Sequence, residues 1–467
     1  MNRIKRSLGM GLGLMLLGAA GPALAQEVAP PNIHFLLDTS SSMRELPQIK
    51  NSGHRAFFDT TVNGCQNPDL DTAEASHGWD PNIQYPVPDT GFPELFQDSK
   101  FYGYMFWNDS MSPAPQWDSK EEACQMQVPN WDTSGSADYN TCVTCLSTKG
   151  YWKYPPATQR DTAPYQNRDF IFWGRFLNFN PPKYVAAKAA LKQTLKNLQS
   201  ARAGLSIFTA TTTLTTMLEA QNSTCSDSLY HSDSFATYSP GYIDDLNQVT
   251  FTTGTPLAKS LLNVGYYFTS DIEVYRTNFG FGSSYNYPAE FQNAPLTSNS
   301  RSVCWGCQTN AVVIISDGEP SGDAFTATMA DKMRTVNGGP TYCPDSAPCN
   351  SGTTNASRDM GTSPTSYTDD NPNYYLDDVA KMLYQRDLQQ SSPEQIGGLD
   401  TSGQQSVATY TVGFGVDSNL LKNTAAVGGG LYFTVDNAPA LQQALQSIIS
   451  DVQARSVNCI HTPGTAP

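Results

Sequence analysis

Asp38, Ser40 and Ser42 stand at alternate positions directly after an apolar run, in Ile33-His-Phe-Leu-Leu-Asp-Thr-Ser-Ser-Ser-Met43. One carboxylate and two hydroxyls at that spacing can converge on a single hard cation. Mg2+, Mn2+ and Ca2+ take such oxygen donors, and Mg2+ usually keeps several of its waters. By itself the loop is also ordinary turn chemistry, because Asp and Ser side chains bond nearby backbone. Two later segments offer more oxygen. Thr255 lies in Thr253-Gly-Thr-Pro-Leu-Ala258, where Pro256 suits the first turn of a helix. Read locally, Thr255 is a helix N-cap. Asp317 ends Ala311-Val-Val-Ile-Ile-Ser-Asp317 and precedes Gly318, which read locally is a turn. Together, Asp38, Ser40, Ser42, Thr255 and Asp317 leave one position open on an octahedral cation. A carboxylate from a partner can fill that position, so the metal bridges two molecules.

For three distant pieces to meet, one rim of a sheet must present them. Ile33–Leu37 and Ala311–Ile315 are short, continuous apolar runs, the kind buried on both faces of a parallel sheet. Asp38 and Asp317 then fall at carboxyl ends of strands, where open α/β sheets bind ligands. Between them, Val185, Leu191, Leu195 and Leu198 recur at helical spacing, with Lys183, Lys188, Lys192 and Lys196 on the opposite side. Residues 201–218 read as one strand with a Thr-rich continuation. A helix follows Pro256, and Leu376, Val379, Ala380 and Leu383 mark another. Residues 407–415 read as a strand, 418–427 as a short helix closed by Gly428-Gly-Gly430, and 431–435 as an edge strand. A last helix is entered at Asn437 and carries Leu441, Leu445, Ile448 and Val452 inward.

This order predicts an α/β fold with a doubly wound, mostly parallel central sheet flanked by helices. It spans residues 26–455, with insertions at about 45–180, 219–250, 269–308 and 320–371. The first insertion is rich in Tyr, Trp and Phe, unlike plain disorder, and reads as an irregular subdomain pinned by disulfides. The insertions that follow Ser42, Thr255 and Asp317 are expected to emerge on the metal rim and partly cover it. Residues 456–467 read as a linker-like tail.

Composition bounds the compartment and the partners. Arg3, Lys5 and Arg6, the apolar run Met10–Leu17 and Ala23-Leu-Ala25 make residues 1–25 a secretory signal peptide. No other segment is long and apolar enough to span a bilayer. Without the signal the chain carries 25 Lys plus Arg against 43 Asp plus Glu, a net charge of -18. Such acidity repels phosphate backbones and argues against nucleic acid as a partner. Ten cysteines in an exported chain point to disulfides. Cys142-x-x-Cys145 and Cys304-x-x-Cys307 also have zinc-like spacing, but the five histidines, at 34, 54, 77, 231 and 461, are scattered. The expected bridges are local, Cys142–Cys145, Cys304–Cys307 and Cys343–Cys349, although spacing does not determine connectivity.

The five oxygen-bearing residues resemble the metal-ion-dependent adhesion site of a von Willebrand factor A domain. Asp38-Thr-Ser-Ser-Ser42 matches its Asp-x-Ser-x-Ser, Thr255 its threonine and Asp317 its distal aspartate. That family has the doubly wound, Rossmann-like sheet read above. A narrower resemblance lies in Cys145-Leu-Ser-Thr-Lys-Gly-Tyr151, Phe176-Leu-Asn178, Leu376-Asp-Asp-Val-Ala380, Thr409-Tyr-Thr-Val-Gly-Phe-Gly415 and Gly428-Gly-Gly-Leu-Tyr-Phe433. These look like the N-terminal region of PilC-type tip adhesins of type IV pili, without the C-terminal β-propeller usual in that family.

The resemblance implies an exported, non-enzymatic adhesion and pilus-assembly protein. It would pass through the periplasm to the pilus tip and cell surface. Its partners would be minor pilins or other tip proteins, and a host or abiotic surface ligand offering a carboxylate. The cofactor would be Mg2+, Mn2+ or Ca2+. Two other readings stand beside this one. An exported metal-dependent hydrolase would need a general base near the metal. Only His34 is near a motif, and its place inside a strand reads as core. A structural scaffold with an inactive metal site is the other.

Overall fold

The two apolar runs lie side by side at the centre of a six-stranded sheet. The computed structural model describes residues 27–44, 151–154, 170–173, 183–211, 214–219, 245–246, 249–269, 291, 302–318, 320–323, 325–326, 329, 333, 374–389, 403–457 and 459–461. In chain order the strands are Glu27–Val28 (β1), Asn32–Leu37 (β2), Tyr151–Tyr154 (β3), Phe170–Trp173 (β4), Arg202–Phe208 (β5), Thr215–Glu219 (β6), Asn310–Ser316 (β7), Val407–Phe414 (β8), Gly429–Val435 (β9) and Ile460–His461 (β10). The central sheet runs β6-β5-β2-β7-β8-β9, and only the β5–β6 pairing is antiparallel. β2 and β7 are buried along their whole length, which is why their sequences show no polar alternation. The chain steps outward from β2 to β5 and β6, then crosses back to β7 on the other flank of β2. That reversal opens a crevice at the carboxyl ends of β2 and β7. β3 and β4 pair antiparallel inside the first insertion.

Among the described residues, five α-helices flank the sheet: Lys183–Asn197 (α1), Leu257–Tyr267 (α2), Leu376–Gln385 (α3), Asn419–Val427 (α4) and Ala438–Ser456 (α5). α1 packs with α5, while α3 packs with both α2 and α4. Leu36, Val312 and Ile314 share one core with Leu261, Val379 and Leu421, so α2, α3 and α4 cover one face of the sheet. Ser418 Oγ accepts from Leu421 N at 3.2 Å, and Asn437 Oδ1 accepts from Ala440 N at 2.9 Å. These are the caps that start α4 and α5, and the Asn437 entry is the one the sequence points to.

Three expectations change. Residues 201–218 are not one strand but a tight hairpin. Leu214 adopts φ 61°, and Thr209 N donates to Leu214 O at 3.0 Å. The turn uses a left-handed conformation without a glycine to announce it. Second, Lys183, Lys188 and Lys192 are buried, and only Lys196 of that set is exposed. The outer side of α1 is covered by the loop at Phe251: Lys188 Nζ lies 5.6 Å from its ring, and the Tyr184 ring 5.0 Å. Third, Cys304 and Cys307 are both oxidised but not to each other; Cys307 is bonded to Cys459, 152 residues away in the chain. The cause is tertiary. β1 pairs antiparallel with β10, and Ala29 N donates to Cys459 O at 2.7 Å, which brings residues 459–461 beside the loop that leads into β7. Sequence spacing carries no trace of such a partner. Cys142, Cys145, Cys343 and Cys349 lie outside the described residues, as does most of each insertion.

The edges from which insertions depart are visible. The first leaves after Arg44 and returns at α1, and the last leaves beyond Pro320 and returns at α3, all at the crevice rim. The expectation for the one after Thr255 fails. It leaves after α2 and re-enters at Asn310, the opposite edge, because α2 itself carries the chain across the sheet.

His34 is a core residue. Its Nε2 lies 2.7 Å from Ser206 Oγ, and burial pulls its pKa down to about 3, so it stays neutral. Opposite it in β5 is Gly204, where a Cβ would sit 2.5 Å from His34 Nδ1 and 2.9 Å from Cε1. Gly204→Ala is expected to lower stability in urea denaturation by about 1–3 kcal/mol, through overpacking. Cation binding should be unchanged, and a variant as stable as wild type would show that the ring moves aside freely.

Candidate functional site

Three loops meet above the crevice. Asp38 N donates to Ile315 O at 2.9 Å, which ties the end of β2 to β7. The loop after β2 pairs with the segment before α2: Ser40 bridges Thr253, Ser41 N donates to Thr253 O at 3.1 Å, and Thr253 N donates to Thr39 O at 3.2 Å. That segment is laced in turn to the loop after β7. Ser321 N donates to Thr255 O at 3.0 Å, and Thr255 N donates to Ser321 Oγ at 2.9 Å. Asp323 closes the assembly by accepting from Ala258 N at 2.7 Å and Lys259 N at 3.0 Å. It therefore caps α2 from another loop, and burial pushes its carboxyl up to about 7. The capping role that local reading gives to Thr255 is filled by Asp323; the residue at the N-cap position, Pro256, makes no side-chain cap bond.

Four of the five expected residues form one continuous chain of hydrogen bonds. Asp38 Oδ1 accepts from Ser40 N at 2.7 Å. Ser40 Oγ lies 2.9 Å from Ser42 Oγ, and Ser42 Oγ donates to Asp317 Oδ1 at 2.8 Å. The fifth, Thr255, is buried on the adjoining loop, two residues from the Thr253–Ser40 bridge. None of its described hydrogen bonds reaches the other four.

Sequence reasoning missed two members of the network. Ser316 Oγ donates to Asp38 Oδ2 at 2.5 Å. Lys183 Nζ makes a 2.6 Å ion pair with Asp317 Oδ2. Ser316 was hidden inside the apolar strand. Lys183 had a signal: a cation in the first turn of a helix is disfavoured by the helix dipole, so its partner had to lie elsewhere.

The electrostatics are those of a place short of positive charge. Asp38 is fully buried, and its pKa is pushed up to about 7, first by desolvation and then by the negative charge of Asp317. The donors are carboxylate and hydroxyl oxygens, with neither nitrogen nor sulfur, which fits a hard divalent cation. No group of three or more His, Cys, Asp or Glu that could hold a metal occurs among the described residues. With two carboxylates, the donor set therefore suits an ion that retains part of its water shell. Asp38, Ser40, Ser42 and Asp317 would hold it, with Thr255 beside them.

No family model matches this chain, and no curated protein matches it. Solved structures do. BatB from Bacteroides thetaiotaomicron is similar at 10% identity over 59% of this chain and 90% of its own, with a TM-score of 0.28. The pilus adhesin SpaC from Lactobacillus rhamnosus GG, in an open conformation, is similar at 12% identity over 60% of this chain and 28% of its own, with a TM-score of 0.28. Proximal thread matrix protein 1 from the mussel byssus, with a zinc-occupied MIDAS motif, is similar at 12% identity over 93% of this chain and 98% of its own, with a TM-score of 0.25. At these values the likenesses assign no function.

Proposed function

We propose that this is an exported, metal-dependent adhesion and pilus-assembly protein that acts at the tip of a type IV pilus. The observation that carries the adhesive reading is the hydrogen-bonded convergence of Asp38, Ser40, Ser42 and Asp317 at the topological switch point. The pilus assignment is supported by the sequence resemblance to PilC-type tip adhesins. A bound Mg2+, Mn2+ or Ca2+ supplies an open coordination position for a carboxylate oxygen of a surface ligand, a minor pilin or another tip protein. The chain's part is to hold two carboxylates and two hydroxyls fixed from opposite sides of the switch point. Ser316 and the backbone of Ser40 orient Asp38, while Ser42 orients Asp317. The reading is non-enzymatic: His34 is enclosed in the sheet and neutral, so it offers no proton-transfer group at the rim. No helix among the described residues is long and apolar enough to cross a membrane.

The test is retention of minor pilins and of carboxylate-bearing surfaces by the protein, with and without EDTA. Retention should vanish with chelator and return with added Mn2+. Full retention in EDTA overturns the reading.

A pH dependence follows from Asp38. Its folded pKa, about 7, lies above the ordinary 3.8, so the folded metal-free protein holds a proton that the unfolded chain has lost. Stability of the metal-free form therefore falls as pH rises from about 4 to 7. Cation binding needs the carboxylate ionised. The rise in Tm on adding Mn2+ should be small at pH 5, grow through pH 7 and then level off. A Tm shift that is the same at pH 5 and pH 8 contradicts this.

A further inference from the structure

The ammonium of Lys183 stands where a metal would be expected to relieve the carboxylates. Its Nζ is 2.6 Å from Asp317 Oδ2 and 3.4 Å from the carbonyl oxygen of Ser42, so it touches two residues of the candidate ligand set. Both side chains are shielded, at 8% and 0% exposure. A buried ammonium needs a reason, because desolvating it is expensive unless a carboxylate compensates. Its own helix does not help. Lys183 opens α1, where the helix dipole presents its positive end. The attraction comes from across the crevice, from Asp317.

We propose that Lys183 is a built-in counter-ion that neutralises Asp317 in the metal-free protein and is displaced when a divalent cation enters. The proposal rests on the metal-site reading above. Loading then exchanges one cation for another. Asp317 is the negative charge that Lys183 neutralises in the metal-free protein. A divalent ion added to the intact pair would meet the ammonium's positive charge a few ångströms away, and the repulsion in a shielded site is large. The side chain can leave without moving α1, because an ammonium on a flexible four-carbon stem swings out where a planar guanidinium would not. Two consequences follow. The resident cation weakens the apparent affinity for the metal. It also keeps Asp317 anchored, and Ser42 with it, when metal is scarce.

The experiment uses the full chain and Mn2+ alone as probe. Isothermal titration calorimetry compares wild type, Lys183→Met and Lys183→Gln, with circular dichroism in EDTA as the folding control. Both variants should bind Mn2+ at least tenfold more tightly than wild type. If Lys183→Met loses structure in EDTA, the gain appears as a larger Mn2+-induced Tm rise than in wild type. A second readout follows the lysine itself. Labelling of amines with acetic anhydride, resolved by mass spectrometry, should find Lys183 protected in EDTA and reactive with Mn2+, while exposed Lys196 on the same helix reacts equally in both. Wild type that binds Mn2+ with variants no tighter, or unchanged Lys183 labelling, overturns the exchange and leaves the metal site standing. Failure of wild type and variants alike to bind Mn2+ overturns both.

Discussion

Asp317→Ala is expected to destabilise the protein and to abolish its response to divalent cations, by two separable routes. The first is electrostatic. Without the carboxylate, the Lys183 ammonium loses its 2.6 Å partner and swings out toward water. The cost is then that of the lost charged hydrogen bond, about 1.5–3 kcal/mol. Chemical denaturation in EDTA measures it. The second is loss of a ligand: the Mn2+-induced Tm rise disappears. The double variant Asp317→Ala/Lys183→Met separates the two. It should recover part of the lost stability, because no ammonium is left to be moved out of the site, and none of the cation response. A single variant as stable as wild type in EDTA would mean that the ion pair is not formed in solution.

Removing the long cross-link gives the other large effect. Cys307 and Cys459 close a loop with a sequence separation of 152. Opening a loop of that length releases unfolded-chain entropy worth about 2–5 kcal/mol. Cys459→Ser should lower the Tm accordingly under non-reducing conditions. The bridge precedes β7, whereas the crevice lies beyond its far end, so Mn2+ affinity of the folded variant should stay within about twofold of wild type. Undiminished stability would show that the pairing of β1 with β10 suffices to hold that edge.

What could be read from the chain beforehand was what short-range chemistry determines. β2 and β7 announce themselves because strands buried on both faces cannot carry polar alternation. The Asn437 entry is legible because a cap is a bond between neighbours in sequence. The ligand loop is legible for the same reason, since Asp38 and Ser40 bond each other directly. What stayed hidden depends on distant contacts. The hairpin at Leu214 breaks a run that looks continuous. Lys188 reads as solvent-facing until Phe251 folds over α1. Asp323 has no local mark of its role, because the helix it caps lies more than sixty residues earlier in the chain. Likewise Cys307 has a neighbour three positions away that fits the usual motif, yet its partner is Cys459.

β7 is held covalently at one end, through Cys307, to Cys459, and at the other it delivers Asp317 to the crevice. A pull applied beyond His461 against an anchor at the crevice is therefore transmitted along this one strand, since the alternative backbone route through α5 and the rest of the fold is far longer and more compliant. β7 is hydrogen-bonded to β2 on one flank and β8 on the other, both in parallel register. Tension along its axis loads all of those rungs in shear at once instead of unzipping them singly.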